Sequence, residues 1–246
     1  MSIQLYELGG PADGKGGEGS GDNDGARALA RRYSTFSWRT RLALAHKGLE
    51  FTTHPVKVSD KATIQFSGQK KVPIIRDGST VVFDSFKIAE YLESRYPDRP
   101  SLFGGDTGLA LARFFNSWVD RQLVGTLVPS LMIDNVKRLE PDDAAHLRSM
   151  FETGFGKTLE ELATGRDQAI ASFQKLLDPV RSALRSQPFV AGVAPSYTDY
   201  ILFSSLQWPR ITTTTPILAA DDVVSVWFER MLDRYDGMGR KAPAAT

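Results

Sequence analysis

Arg31-Arg-Tyr-Ser-Thr-Phe-Ser-Trp-Arg-Thr-Arg-Leu-Ala-Leu-Ala-His-Lys-Gly48 sets a hydroxyl-rich turn directly in front of an amphipathic run. Trp38, Leu42 and Ala45 recur at helical spacing, which predicts a helix of about three turns with Arg39, Arg41 and Lys47 facing outward. Gly48 stands where the helix should end, because a residue without Cβ takes the left-handed conformation at C′ without penalty, and Lys47 suits the negative end of the dipole. The first N–H groups of such a helix lack intrahelical partners and carry partial positive charge. The turn holding Ser34 is therefore a place where an anion is stabilised. Ser34 taken alone also reads as an ordinary cap, and Ser37 is a rival hydroxyl.

Upstream, Ile3–Leu8 alternates as a short strand, after which residues 9–25 (GGPADGKGGEGSGDNDG) offer nothing to anchor a core and read as an insertion. Downstream, Phe51–Val56 reads as a second strand, with Pro55 suited to a sheet edge, and Asp60–Phe66 as one or two helical turns. Lys71–Arg76 and Val81–Phe83 flank Asp77-Gly78, a strong hairpin signal. Asp84-Ser85 then precedes Ile88, Ala89, Tyr91 and Leu92, so a helix is expected from there to about Arg95. The order is β-α-β-α-β-β-α, a small α/β layer. From Gly108 the pattern turns helical: one helix marked by Leu111, Phe114, Phe115, Trp118 and Leu123, a second over His146–Leu162, a third over Ile170–Leu184 kinked at Pro179, a fourth over Ser196–Trp208 and a fifth over Val223–Tyr235. Ser196 and Asp199 have the spacing of a capping box.

Composition bounds what this can be. With 246 residues, 41% of them hydrophobic, the chain has material for one large or two ordinary domains. A formal net charge of +1 provides no field for nucleic acid or an anionic membrane, and no apolar run reaches the ~20 residues of a membrane span, so a soluble, cytoplasmic protein is expected. Cysteine is absent, which excludes disulfides and a protein thiol nucleophile. His46, His54 and His146 are scattered with no acidic partner at ligand spacing, and no metal is expected.

The β-α-β-α-β-β-α order, with Val72-Pro73 before the hairpin and Asp84-Ser85 opening the last helix, resembles cytosolic glutathione transferases. Within them, RRYSTFSWRTRLALAHKGLEF, FSGQKKVPIIRDG and DSFKIAEYLESRYPDRPSLFG resemble the serine-dependent branch that includes bacterial lignin β-etherases and related fungal enzymes. Gln187–Gly192 with Pro195–Trp208 is similar to the family's helical domain. The resemblance implies α/β plus all-α architecture: a thioredoxin-like glutathione-binding domain over residues 1–98, then a C-terminal helical bundle over residues 108–246 that contributes a hydrophobic substrate site.

It also implies roles. Ser34 would point its hydroxyl at the glutathione sulfur. A free thiol has a pKa of about 8.5 and is only ~3% thiolate at pH 7, and lowering that pKa by ~2 units makes roughly three quarters of it nucleophilic. Val72 and Pro73 would form a cis bond whose backbone edge pairs with the cysteinyl part of glutathione. Asp84 and Ser85 would meet its γ-glutamyl end, and Lys71, or else Gln69 or Lys61, its glycyl carboxylate. Phe36, Phe114, Phe151, Trp118 and Trp208 would line an apolar pocket, although helix-spaced aromatics also serve as plain core. The partners implied are glutathione, a hydrophobic, aromatic electrophile, and a second copy of the chain. Two function classes fit: a transferase that activates glutathione, with detoxification or β-aryl ether cleavage as its use, and a non-catalytic glutathione-binding regulator or assembly module of the same fold.

Overall fold

The computed structural model describes residues 2–9 and 32–246, so the expected insertion lies, except for Gly9, outside the described residues. Strands β1 (Ile3–Leu8), β2 (Phe51–Val56), β3 (Ile74–Asp77) and β4 (Thr80–Phe83) form one sheet in the order β2-β1-β3-β4. β1 and β2 are parallel, and the other two pairings are antiparallel. Pro55 lies on the edge strand β2, where its missing N–H costs no ladder bond on the outer side. Helix α1 (Thr35–His46) connects β1 to β2, a 3₁₀ turn (Ala62–Ser67) precedes the hairpin, and α2 (Ser85–Arg95) follows it. The hairpin turns on Gly78 and Ser79, closed by the Asp77–Thr80 pair, and Gly78 supplies the positive φ of 60° that the tight turn requires.

The remainder is helical. A continuous helix runs as α3 (Asp106–Trp118), a stretch of wider π-type turns (Val119–Val124) and α4 (Gly125–Val136). It is followed by α5 (Pro141–Phe155), α6 (Leu159–Ala163), α7 (Arg166–Leu176), α8 (Asp178–Ser186), α9 (Tyr197–Thr212), α10 (Val223–Leu232) and α11 (Arg234–Lys241). α9 is the axis of this domain, with nearly all of its residues buried and its start fixed by the expected Ser196/Asp199 capping box. Among the described residues no helix is long and apolar enough to cross a membrane.

Three expected helices have different bounds. The second stops at Phe155 because Gly156 takes the left-handed conformation, and Thr158 then caps α6 with a capping box to Glu161. The third is two helices rather than one kinked one: α7 ends at Leu176, and Pro179 falls in the first turn of α8, where a residue without N–H is tolerated. The fifth ends at Leu232, since Tyr235, Asp236 and Gly237 all take positive φ.

The largest departure concerns α1. Arg39, Arg41 and Lys47 do not face outward. Apart from Phe36, every residue from Thr35 to Leu44 is buried, because α1 is wedged between the sheet, α2 and α9 and shows solvent little more than Phe36 and its last turn. Each cation is therefore neutralised inside the protein. Arg39, 0% exposed, donates to Ser204 Oγ at 3.0 Å, Asn116 Oδ1 at 2.8 Å and Asp120 Oδ1 at 2.6 Å. Arg41 forks onto Glu7 of β1, and Lys47 Nζ lies 2.6 Å from Glu93 of α2. Beside Arg39, Trp38 meets Phe203 of α9 edge-on with ring centroids 6.1 Å apart. Truncating Arg39 strands a carboxylate and two polar groups at the domain junction. Arg39→Ala should lower the free energy of unfolding by about 3–5 kcal/mol. Urea titration followed by circular dichroism checks this, and a loss below about 1 kcal/mol would mean the junction does not depend on the pair.

Candidate functional site

The βαβ unit and the sheet register decide which residues meet. β2 starts opposite the start of β1, with Ile3 beside Phe51, so α1 ends near the amino end of β1 and its N-terminus lies at the carboxyl end. The register pairs Tyr6 with Ile74 and Ile74 with Phe83. One step further along, Pro73, Asp84 and the end of β1 fall at that same end of the sheet. Ser34, Val72-Pro73 and Asp84-Ser85 are thus brought to one edge, outside the carboxyl end of the first strand, where open α/β sheets hold their ligands.

Ser34 is the N-cap of α1 (φ −65°, ψ 116°), with its Oγ accepting from Ser37 N–H at 3.3 Å and its carbonyl accepting from Trp38 N–H at 3.1 Å. That long cap bond leaves the hydroxyl's own proton free to be donated. Ser37, the rival, is more deeply enclosed, and its Oγ has no hydrogen-bond partner. Arg32 is locked just upstream, its carbonyl accepting from Trp38 Nε1 at 2.6 Å.

Val72-Pro73 is a cis peptide, and Val72 makes no backbone hydrogen bond among the described residues. Its N–H and C=O are a short stretch of unpaired strand edge.

Asp84 caps α2, Oδ1 accepting from Phe86 N–H at 2.9 Å and Lys87 N–H at 3.0 Å. Its φ of 73° is unusual for a residue with a side chain, and Asp is one of the few types that accept it. The side chain is exposed, so Oδ2 remains available for a cation. Ser85 is buried beside it, and its carbonyl accepts from Tyr197 Oη at 2.7 Å. That bond carries the C-terminal domain's support to the α2 N-terminus. Burial raises the Tyr197 phenol pKa, which keeps it a neutral donor.

The other expected residues are placed as follows. Lys71 is exposed, Gln69 is half-buried, and Lys61 donates to Lys57 O at 3.1 Å while burial pulls its pKa down. Phe36 is exposed on the first turn of α1 with the Arg39 guanidinium 4.9 Å from its ring centroid. Trp118 and Phe151 are half-buried, Phe114 is 71% exposed, and Trp208 is packed into the core. A cavity of about 490 Å³ opens beside Tyr33, between the end of α4 (Asn135, Lys137), Thr212 of α9 and Pro243. None of the five aromatics borders it. Among the described residues no group of three or more His, Asp or Glu could hold a metal.

Sequence reasoning missed Glu7, Arg39, Tyr33 and Tyr197. An acid inside an alternating strand and an arginine inside an amphipathic helix are the only signals available for the first two, and nothing singles out either tyrosine.

An arrangement of two capped helix N-termini with a bare backbone edge between them can bind an amino-acid-like anion and stabilise a second negative charge at Ser34. Comparison with known proteins agrees with this architecture. The model of the glutathione S-transferase C-terminal domain family matches residues 110–234, and that of the N-terminal domain matches residues 33–95. A probable glutathione S-transferase, parA, of Nicotiana tabacum is 30% identical over 97 residues, 38% of this chain and 44% of that protein. A zeta-class glutathione S-transferase of Euphorbia esula is 39% identical over 74 residues, 28% of this chain and 33% of the other. The chain thus spans less than half the length of these curated relatives. Glutathione transferase GSTFuA3 of Phanerochaete chrysosporium superposes with a TM-score of 0.72 at 24% identity, covering 98% of this chain and 94% of that one. The glutathione S-transferase CsGST63524 of Ceriporiopsis subvermispora, solved in complex with glutathione, gives 0.72 at 23% identity over the same shares. These structural likenesses bear on the fold. With its helical half matched over residues 110–234 and its thioredoxin-like half over residues 33–95, the chain belongs to the glutathione S-transferase family.

Proposed function

We propose that the protein is a glutathione transferase in which Ser34 stabilises the glutathione thiolate for attack on an aromatic electrophile. The observation that carries this reading is the convergence of the Ser34 cap, the unpaired Val72 edge and the Asp84-Ser85 cap at one end of the sheet. Glutathione lies across that end. Its γ-glutamyl ammonium meets Asp84 Oδ2, its γ-glutamyl carboxylate meets the Ser85 hydroxyl at the α2 N-terminus, its cysteinyl backbone pairs with Val72, and Lys71 takes the glycyl carboxylate. The sulfur then reaches the N-terminus of α1, where the Ser34 hydroxyl donates to it. The electrophile meets the exposed Phe36 ring on the first turn of α1.

With no thiol in the chain, the power of this site is a positioned thiolate. Direct displacement suits it, and an aryl ether α to a ketone is a fitting target. The thiolate forms a C–S bond at the α-carbon, the C–O bond breaks, and the phenolate leaves with the electron pair and takes its proton from solvent. The regulator reading differs in one measurable respect, namely that it requires glutathione to bind without its sulfur being ionised.

Ser34→Ala should raise the pKa of bound glutathione, seen as loss of thiolate ultraviolet absorbance near neutral pH with little change in affinity. Persistence of that absorbance in Ser34→Ala and its loss in Ser37→Ala would transfer the role to Ser37. Asp84→Asn keeps the cap acceptor and tolerates the positive φ but removes the charge, so it should weaken glutathione binding by about 1.5–3 kcal/mol in calorimetry. An unchanged dissociation constant would take Asp84 out of the site. Incubation with glutathione and an α-aryloxy ketone should release phenol and thioether together. Turnover of a nitroaryl halide or an epoxide with no phenol release would leave a general transferase in place of an etherase.

A further inference from the structure

Next to the Ser34 turn the described residues carry a charge imbalance that the fold itself does not explain. Glu7, near the carboxyl end of β1, is completely buried and faces two guanidinium groups. Arg41 takes both of its oxygens, Nε donating to Oε2 at 2.7 Å and Nη2 to Oε1. Arg32, 3% exposed, approaches Oε1 with Nε at 3.2 Å, outside hydrogen-bonding geometry, and neither its Nε nor its Nη1 has a hydrogen-bond partner. Among the described residues two buried cations share this one buried anion, a surplus of one positive charge.

Among the described residues the other charged groups packed around this core have partners of their own. Arg39 has Asp120, Lys47 has Glu93, and Asp143 accepts from Ser59 near Lys61. Tyr6 of β1 meets the His54 ring, stacked at 4.8 Å, and Tyr33 stays neutral because burial raises its phenol pKa. Burial is also the chief influence lowering the Arg32 pKa, with Arg41 adding to it and Glu7 opposing. A buried guanidinium that shares its counter-charge and leaves two nitrogens without hydrogen bonds is costly, and such a group calls for an explanation, a bound anion being one. Arg32 lies two residues before Ser34 and is clamped there by the Trp38 indole on its carbonyl. It stands at the helix end where the α1 dipole is also positive.

We propose that Arg32 is a positioning residue for the thiolate: the surplus charge of the Arg32–Glu7–Arg41 cluster is balanced by the glutathione sulfur anion held at Ser34. This rests on the Ser34 reading above and adds to it a long-range electrostatic contribution from beneath the site. The cluster makes a signed prediction that a merely structural role does not. Removing a cation must disfavour the thiolate, and removing the anion must favour it.

The test is the pKa of bound glutathione, from thiolate absorbance against pH, in the wild-type protein and in Arg32→Gln, Arg32→Lys and Glu7→Gln, each with its fold checked by circular dichroism. Arg32→Gln should raise that pKa by about 0.5–1 pH unit, Arg32→Lys should stay near wild type, and Glu7→Gln should lower it. If Glu7→Gln does not fold, Arg41→Gln replaces it: Arg32 and Glu7 then cancel, and the pKa should rise as in Arg32→Gln. An unmoved pKa in Arg32→Gln overturns the proposal. So does a shift in Arg32→Lys as large as in Arg32→Gln, or a shift of the same sign in Arg32→Gln and Glu7→Gln. Absence of a thiolate band in the wild-type protein removes the Ser34 reading itself, an outcome distinct from a band that ignores Arg32.

Discussion

The fold depends on a helix that is buried along most of its length. α1 begins at the site, crosses the sheet and ends against α2, and along its length three basic side chains reach into three different parts of the molecule. Arg39 ties it to the C-terminal helices, Arg41 to β1 and Lys47 to α2. Each cation is out of water, so each needs a partner with good geometry, and each has an acceptor from another element. These pairs fix where the N-terminus of α1 points, and with it the position of its cap, Ser34.

The helical domain therefore helps to hold the candidate site in place. Ser204 and Asp120 hold Arg39, and Tyr197 holds the carbonyl of Ser85. Both caps of the candidate site are braced from the helical domain by hydrogen bonds between groups buried at the junction. A site that works by fixed dipoles needs this kind of rigidity, because a donor that can swing away stabilises a developing charge much less. The chemistry proposed is correspondingly simple. Two helix N-termini, a carboxylate and a surplus guanidinium arrange charge around one small ligand, and the ligand's own sulfur reacts.

Much of this was legible from residue order. The alternation of Ile3–Leu8, the turn signal at Asp77-Gly78, the Ser196/Asp199 capping box and the edge position of Pro55 each follow from local rules, and local rules are what short elements obey. Helix ends in the second domain were legible only in part. Gly156 and Pro179 are visible breakers, yet whether a proline kinks a helix or starts a new one depends on whether the neighbouring turn is packed or free, and periodicity carries no record of that. The continuous run from Asp106 to Val136 shows the same limit, since its middle turns widen where it passes between α7 and α9.

The sequence by itself determined the order of elements in the α/β layer, the two capped helix starts and the candidate hydroxyl and carboxylate at them, because capping and strand alternation are interactions between residues a few positions apart. Only the tertiary structure decided which charges are buried and which aromatics are free. Arg39 and Phe114 both sit in helices with an apolar stripe, yet Arg39 is wholly enclosed and Phe114 stands in the open. The difference lies in what packs against each face, and Ser204, Asp120 and Glu7 are strangers to α1 along the chain that meet it only after folding.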